Sequence, residues 1–132
     1  DFYREGRKRF KILMNGKDPI AGKWNFDKEN RKPPKGELKT PLPIWFEPDE
    51  ITLEVIETVK QLDFPLYGQI EPFRWGVTRQ QALTVLDHFI QNNLATFGPY
   101  QDAMMTGEET MWHSLISPYL NLGLLTPFEV IQ

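Results

Sequence analysis

Residues 31–48 limit what this chain can fold into more than any other segment. Arg31-Lys32-Pro33-Pro34-Lys35-Gly36 and Pro41-Leu42-Pro43 follow one another closely, with Pro48 just beyond. Proline offers no N–H donor and pushes the residue before it out of helical conformation, so neither helix nor sheet can run through. The segment is expected to be extended, polyproline-like, and laid along a surface. The apolar Ile44-Trp45-Phe46 predicts that its end is anchored. It interrupts a chain of 132 residues, enough for one modest domain and too few for two ordinary ones.

Charge divides near the same place. Residues 1–39 carry 12 Lys and Arg against 6 Asp and Glu, a net of +6. Residues 40–132 carry 3 against 12, a net of −9. A basic arm on an acidic body suits an anionic partner such as nucleic acid, and equally marks a boundary between two structural units. The composition shift favours the boundary.

Several classes are excluded. With 40% hydrophobic and 25% charged residues the chain has a globular composition, not a disordered one. No apolar run approaches the roughly 18 residues of a transmembrane helix. The first ten residues hold four basic side chains and no apolar core of a signal peptide. Without cysteine there is no disulfide, thiolate metal site or cysteine nucleophile. The expected location is cytoplasmic.

The pattern predicts a mainly α chain. Residues 1–14 read as a basic helix running into an apolar stretch. Asn15-Gly16 is the strongest turn signal and predicts a small hairpin between Phe10–Met14 and Ile20–Phe26, shortened by Pro19 and Gly22. Asp49 is the N-cap of a helix with an apolar stripe of Ile51, Val55, Ile56, Val59 and Leu62. An aromatic connector, Asp63 to Gly76, follows. Thr78 with Gln81 forms a capping box for a helix ending near Leu94, before Gly98-Pro99. A short helix to Met105 and another over Trp112–Leu122 come next, with Gly123 as C-cap. Thr126-Pro127-Phe128-Glu129 is a full helix start with only three residues after it. So short a helix, and a first residue that is not Met, predict a piece of a longer protein.

Few constellations could carry chemistry. His88 reads as a boundary histidine, since nothing with ligand spacing surrounds it. His113 beside Ser114 lacks the strand–turn–helix context of a serine nucleophile, and adjacent side chains do not face one another. No glycine-rich nucleotide loop is present. Glu108-Glu109 reads as a solvated turn. The informative segment is Trp112-His113-Ser114-Leu115-Ile116-Ser117-Pro118-Tyr119-Leu120. Two serines flank a helix start, where hydroxyls and free N–H groups favour a phosphate. Plain serine capping is the competing reading.

These residues resemble the flavin-phosphate motif of the photolyase/cryptochrome superfamily, Thr-Ser-x-Leu-Ser-Pro-x-Leu followed by a glycine and Leu-Ser/Thr-Pro. Gly123-Leu124-Leu125-Thr126-Pro127 supplies the second part, and His113 replaces the motif's threonine. Phe2-Tyr3-Arg4, Ile12-Leu13-Met14, Gly22-Lys23-Trp24-Asn25-Phe26-Asp27, Val77-Thr78-Arg79, Leu86-Asp87-His88-Phe89-Ile90 and Asn121-Leu122-Gly123 are similar to one branch. That branch is the deoxyribodipyrimidine photolyase-related proteins, the bacterial iron–sulfur cryptochromes and photolyases.

The resemblance implies a parent with an α/β antenna domain, a linker and an all-α FAD-binding domain. Residues 1–31 would end the antenna-type region, 32–48 would be the linker, and 49–132 would open the helical domain. The implied activity is light-driven repair of pyrimidine photoproducts in damaged DNA, by electron transfer from a reduced flavin, or blue-light signalling. Tyr100, His113, Ser114, Leu115, Ile116 and Ser117 match positions about the flavin phosphates; an imidazole at 113 could donate in place of the hydroxyl. The flavin ring pocket, the iron–sulfur cysteines and the antenna chromophore would lie outside this chain. The chain alone is expected to be inactive, to hold no FAD, and to self-associate through uncovered apolar faces. The alternative is a stand-alone interaction domain, gripping nucleic acid with its basic arm and a protein with the Phe64–Trp75 connector.

Overall fold

The computed structural model describes residues 2–35 and 39–132. Asp1, and Gly36, Glu37 and Leu38 of the expected linker, lie outside the described residues. The architecture is mainly helical with one small two-stranded sheet, as the sequence predicts.

Helix α1 (Phe2–Phe10) is basic and buries a single residue, Arg7. Lys11 and Leu13 follow with φ of 54° and 51°, a left-handed backbone that non-glycine residues seldom adopt. Arg7 holds this turn: Nε donates to the Ile12 carbonyl and Nη2 to the Leu13 carbonyl. Strands β1 (Met14–Asn15) and β2 (Asp18–Pro19) then pair antiparallel, Met14 with Pro19 and Asn15 with Asp18. The hairpin is smaller than expected. Gly16, with φ of 60°, is the first of two loop residues, and beyond Pro19 the chain enters a 3₁₀ turn (Ile20–Gly22) in place of a strand. Pro19 has no N–H to give the ladder, and after one more bond, from Ile20 N to the Leu13 carbonyl, the chain turns away.

Residues 39–49 have no regular structure, like 31–35. The start of this strap is tied to a distant turn: Lys32 N donates to the Pro99 carbonyl and Asp102 N to the Asn30 carbonyl. Arg31 Nε lies 3.1 Å from Asp102 Oδ2. Its end is anchored as expected. Phe46 N donates to the Arg74 carbonyl, and Trp45 meets Trp75 edge to face at 5.4 Å.

Helix α2 (Glu50–Lys60) has the expected N-cap, Asp49 accepting from Thr52 N. Its buried side is rotated one residue from the expected stripe. Thr52 and Ile56 are covered, whereas Ile51 and Val55 are 72% and 53% exposed. Each residue turns a helix by about 100°. Lys60, bonded to Glu57 and Glu71, holds α2 over the 71–74 connector on the Ile56 side.

Helix α3 (Arg79–His88) starts with the complete Thr78–Gln81 capping box. It passes through a π-helical turn (Phe89–Asn93) into α4 (Leu94–Tyr100). The helix therefore outruns its expected end near Leu94 and includes Gly98-Pro99. Pro99 falls in the last turn of α4, where its missing N–H forgoes one i→i−4 bond just before the helix ends. The expected short helix to Met105 is a turn instead. The helix expected from Trp112 begins only at Ser117: Met111 and Leu115 have φ of 47° and 56°, which no α-helix accommodates.

Helix α5 (Ser117–Asn121) closes on Gly123, as expected, with φ of 72°. Leu124 N donates to the Tyr119 carbonyl and Gly123 N to that of Leu120, the paired bonds of a Schellman motif. Helix α6 (Pro127–Ile131) has both halves of the Thr126–Glu129 capping box. Arg79 grips Glu129 with both terminal nitrogens and donates to the Leu124 carbonyl, fastening α6 to α3. The core gathers Ala82, Val85 and Leu86 of α3 with Ile116, Tyr119 and Leu125, and Phe46 and Trp75 pack against it.

Candidate functional site

The segment 112–117 takes its position from the core below it. Trp112 and Ile116 are buried, whereas His113 and Ser117 are exposed. Leu115, between the two serines, has positive φ, so the chain turns sharply there and its amides are not spent on a helix. Among the described residues the N–H groups of Ser114, Leu115, Ile116 and Ser117 donate to no backbone carbonyl. The hydroxyls of Ser114 and Ser117 have no partner in the same residues, and α5 has no side-chain cap. Serine capping, the competing sequence reading, is thus not what these serines do.

The expected partners are close by. Tyr100, at the end of α4, stacks on Trp112 with centroids 4.9 Å apart and planes 29° apart. His113 meets Phe97 edge to face at 5.4 Å, and its N–H donates to the Thr110 carbonyl. The fold therefore brings Tyr100, His113, Ser114, Leu115, Ile116 and Ser117 into one neighbourhood, with α4 on one side and α5 on the other. Four consecutive free N–H groups and two hydroxyls are the donor set an oxyanion such as a diphosphate requires, and backbone amides favour negative charge. The residues present fit that group. Glu108 and Glu109 are exposed, and Glu108 accepts from the Thr40 hydroxyl.

Behind the segment lies a cavity of about 20 Å³, walled by α3, the strap and residues 110–115. His88 and His113, unrelated in sequence, both border it. So does Asn93, 6% exposed, whose carboxamide oxygen is buried and has no donor among the described residues. Sequence reasoning missed Asn93 because a π-helical turn leaves no mark in hydrophobic periodicity. No group of three or more His, Asp or Glu among the described residues is placed to hold a metal ion. No helix among them is long and apolar enough to cross a membrane.

A second, larger cleft of about 600 Å³ opens between the N-terminal unit and the end of α4. Tyr3, Arg7, Trp24 and Asn30 lie on one side of it and Pro99 and Gln101 on the other. Arg4, Arg7 and Lys8 all stand within 5.7 Å of the Trp24 ring centroid. Much of the basic arm is thereby folded onto an aromatic ring.

The site is thus an amide-rich turn before α5 in a mainly helical architecture. Residues 1–75 match the family model of deoxyribodipyrimidine photo-lyase-related protein, and this chain belongs to that family. It is also 46% identical over 131 residues to a (6-4) photolyase of Agrobacterium fabrum (strain C58 / ATCC 33970). That alignment covers 99% of this chain and 26% of the relative, so the chain spans about a quarter of the relative's length.

Proposed function

We propose that this chain forms part of a flavin-dependent DNA photolyase and supplies one wall of its FAD diphosphate site. The observation that carries this reading is the run of amides from Ser114 to Ser117, which among the described residues donate to no backbone carbonyl, with two serine hydroxyls that have no partner there. Ser114, Leu115, Ile116 and Ser117 would hold phosphate oxygens. Tyr100 and His113 would border them, the imidazole taking the place of the motif's hydroxyl. When bound, FAD supplies the light-driven electron; the residues of this chain bind and orient its phosphates. The likeness to a (6-4) photolyase favours repair over signalling, with the (6-4) pyrimidine photoproduct in DNA as the lesion.

The chain by itself is not catalytic on this reading. A flavin site of drug-like volume is enclosed by several elements, and this chain offers one edge. Flavin absorbance titration of the 132-residue chain should show no stoichiometric binding, whereas the longer protein carrying it should retain FAD. Loss of FAD from that longer protein on joint replacement of Ser114 and Ser117 by alanine is the expected result. Full retention would overturn the assignment.

A further inference from the structure

The tip of the β1–β2 hairpin sets an exposed carboxamide before the one residue type that leaves it open to attack. Asn15 is exposed and is followed by Gly16. Nothing stands within 4 Å of the place where a Cβ of Gly16 would be. Gly16 N donates to no backbone carbonyl among the described residues. The other five asparagines precede Phe26, Arg31, Asn93, Leu94 and Leu122, whose side chains crowd the nitrogen that follows. The ladder that keeps Asn15 extended is small. It has two residues to a strand, and one further bond runs from Ile20 N to the Leu13 carbonyl. So short a pair of strands is marginal in itself and opens locally at little cost.

We propose that Asn15 is a site of spontaneous deamidation through Gly16. When the tip opens, Gly16 N attacks Cγ of the Asn15 carboxamide. The N–Cγ bond forms and the Cγ–Nδ2 bond breaks. Nδ2 leaves as ammonia, taking the proton of Gly16 N, and a five-membered imide remains. Water then opens the imide at either carbonyl, giving aspartate or isoaspartate, with no change of oxidation state. Asn15 pairs with Asp18 across the ladder, so the aspartate product sets two carboxylates directly opposite one another, where they repel. Isoaspartate instead lengthens the main chain and spoils the register. The conversion runs one way, and it is independent of the flavin site.

Peptide mapping of the 132-residue chain, aged in neutral buffer, tests the proposal. The Asn15-Gly16 peptide should gain about one mass unit at least about tenfold faster than any other asparagine peptide, a barrier lower by about 1.4 kcal/mol. It should also split into aspartate and isoaspartate peaks. An unchanged peptide, or conversion spread evenly over the asparagines, overturns the proposal. So does a single aspartate product, because direct hydrolysis of the carboxamide yields no isoaspartate. Asn15→Gln would need a six-membered ring and should abolish the change at this position; persistence there also counts against it. Hydrogen exchange of the Ile20 amide tests the effect on the hairpin. Asn15→Asp should speed it about threefold, whereas the uncharged Asn15→Ser should leave it near the parent rate. Equal exchange in the two variants would overturn the repulsion from Asp18.

Discussion

Arg7 and Trp24 are joined twice. The guanidinium donates from Nη1 to the Trp24 carbonyl at 3.1 Å, and its carbon stands 5.5 Å from the centroid of the Trp24 ring. The same side chain bonds the Ile12 and Leu13 carbonyls and the Tyr3 hydroxyl, which itself donates to Trp24. Arginine suits this place because its planar fork serves several acceptors at once while its face packs on a ring.

Replacing Arg7 should therefore unfasten the whole N-terminal unit. Arg7→Leu leaves the Ile12 carbonyl without its donor, takes one of two donors from the Leu13 and Trp24 carbonyls, and is expected to cost about 2 kcal/mol. Arg7→Lys should recover little of this, because one ammonium cannot reach Ile12, Leu13 and Trp24 together. Urea denaturation followed by tryptophan fluorescence measures both; a lysine variant as stable as the parent would contradict the account.

The contact of Gly76 with Tyr119 gives a second expectation. Gly76 N donates to the Tyr119 hydroxyl at 3.0 Å in a buried setting. A methyl group at position 76 would come within 2.8 Å of Gln81 Cβ, 3.2 Å of a Phe46 ring carbon and 3.3 Å of the Tyr119 oxygen. Gly76→Ala is expected to destabilise by about 1–3 kcal/mol through overpacking. Tyr119→Phe should cost about 1–2 kcal/mol, since it strands a buried N–H. Thermal melts of the two variants should both shift downward; an unmoved Tyr119→Phe melt would show that the hydrogen bond contributes nothing.

Acid should release α6 before the core. Hydrogen bonds from Arg79 and then from Thr126 hold the Glu129 carboxyl down at about 2, against an ordinary value of 4.5. A carboxylate with a lowered folded-state value stabilises above its unfolded value and loses that contribution as pH falls through the folded one. The attachment of α6 is thus complete above about pH 5 and fades toward pH 2. NMR shifts of Val130 and Ile131 recorded down that range should report it, and in Glu129→Gln they should be flat.

Flavin retention and stability should separate at the amide-rich turn. In the longer protein, Ser114→Ala and Ser117→Ala are each expected to weaken FAD binding about fivefold, the equivalent of one ordinary hydrogen bond of roughly 1 kcal/mol. Neither hydroxyl has a protein partner among the described residues, so folding stability should move by less than about 0.5 kcal/mol. Equilibrium dialysis alongside denaturant melts distinguishes the two effects.

Local signals in the sequence were legible wherever side chain and backbone neighbours decide the outcome. Asp49, the Thr78–Gln81 and Thr126–Glu129 boxes and Gly123 each cap as their residue types dictate. The anchoring at Phe46 was legible from an apolar run after prolines. Tertiary choices were not. The stripe on α2 gives equal claim to Ile51 and Ile56, and the fold buries Ile56 while leaving Ile51 exposed. The helix expected from Trp112 fails because positive φ at Met111 and Leu115 is unfavourable locally and is held by packing. The motif at 113–120 drew attention to the turn before α5, yet neither the stacking of Tyr100 on Trp112 nor the orphaned Asn93 could be read from spacing.

The tie between the strap and the end of α4 also shapes how the molecule is assembled in time. Arg31 and Asp102 meet across 71 residues. Closing so long a loop costs entropy before any contact returns it, and such non-local pairings slow folding. The helices around Ala82 and Tyr119 can collapse first, leaving residues 30–32 to dock afterwards. The backbone bonds of Lys32 and Asp102 are then expected to close last on folding and to open first on unfolding.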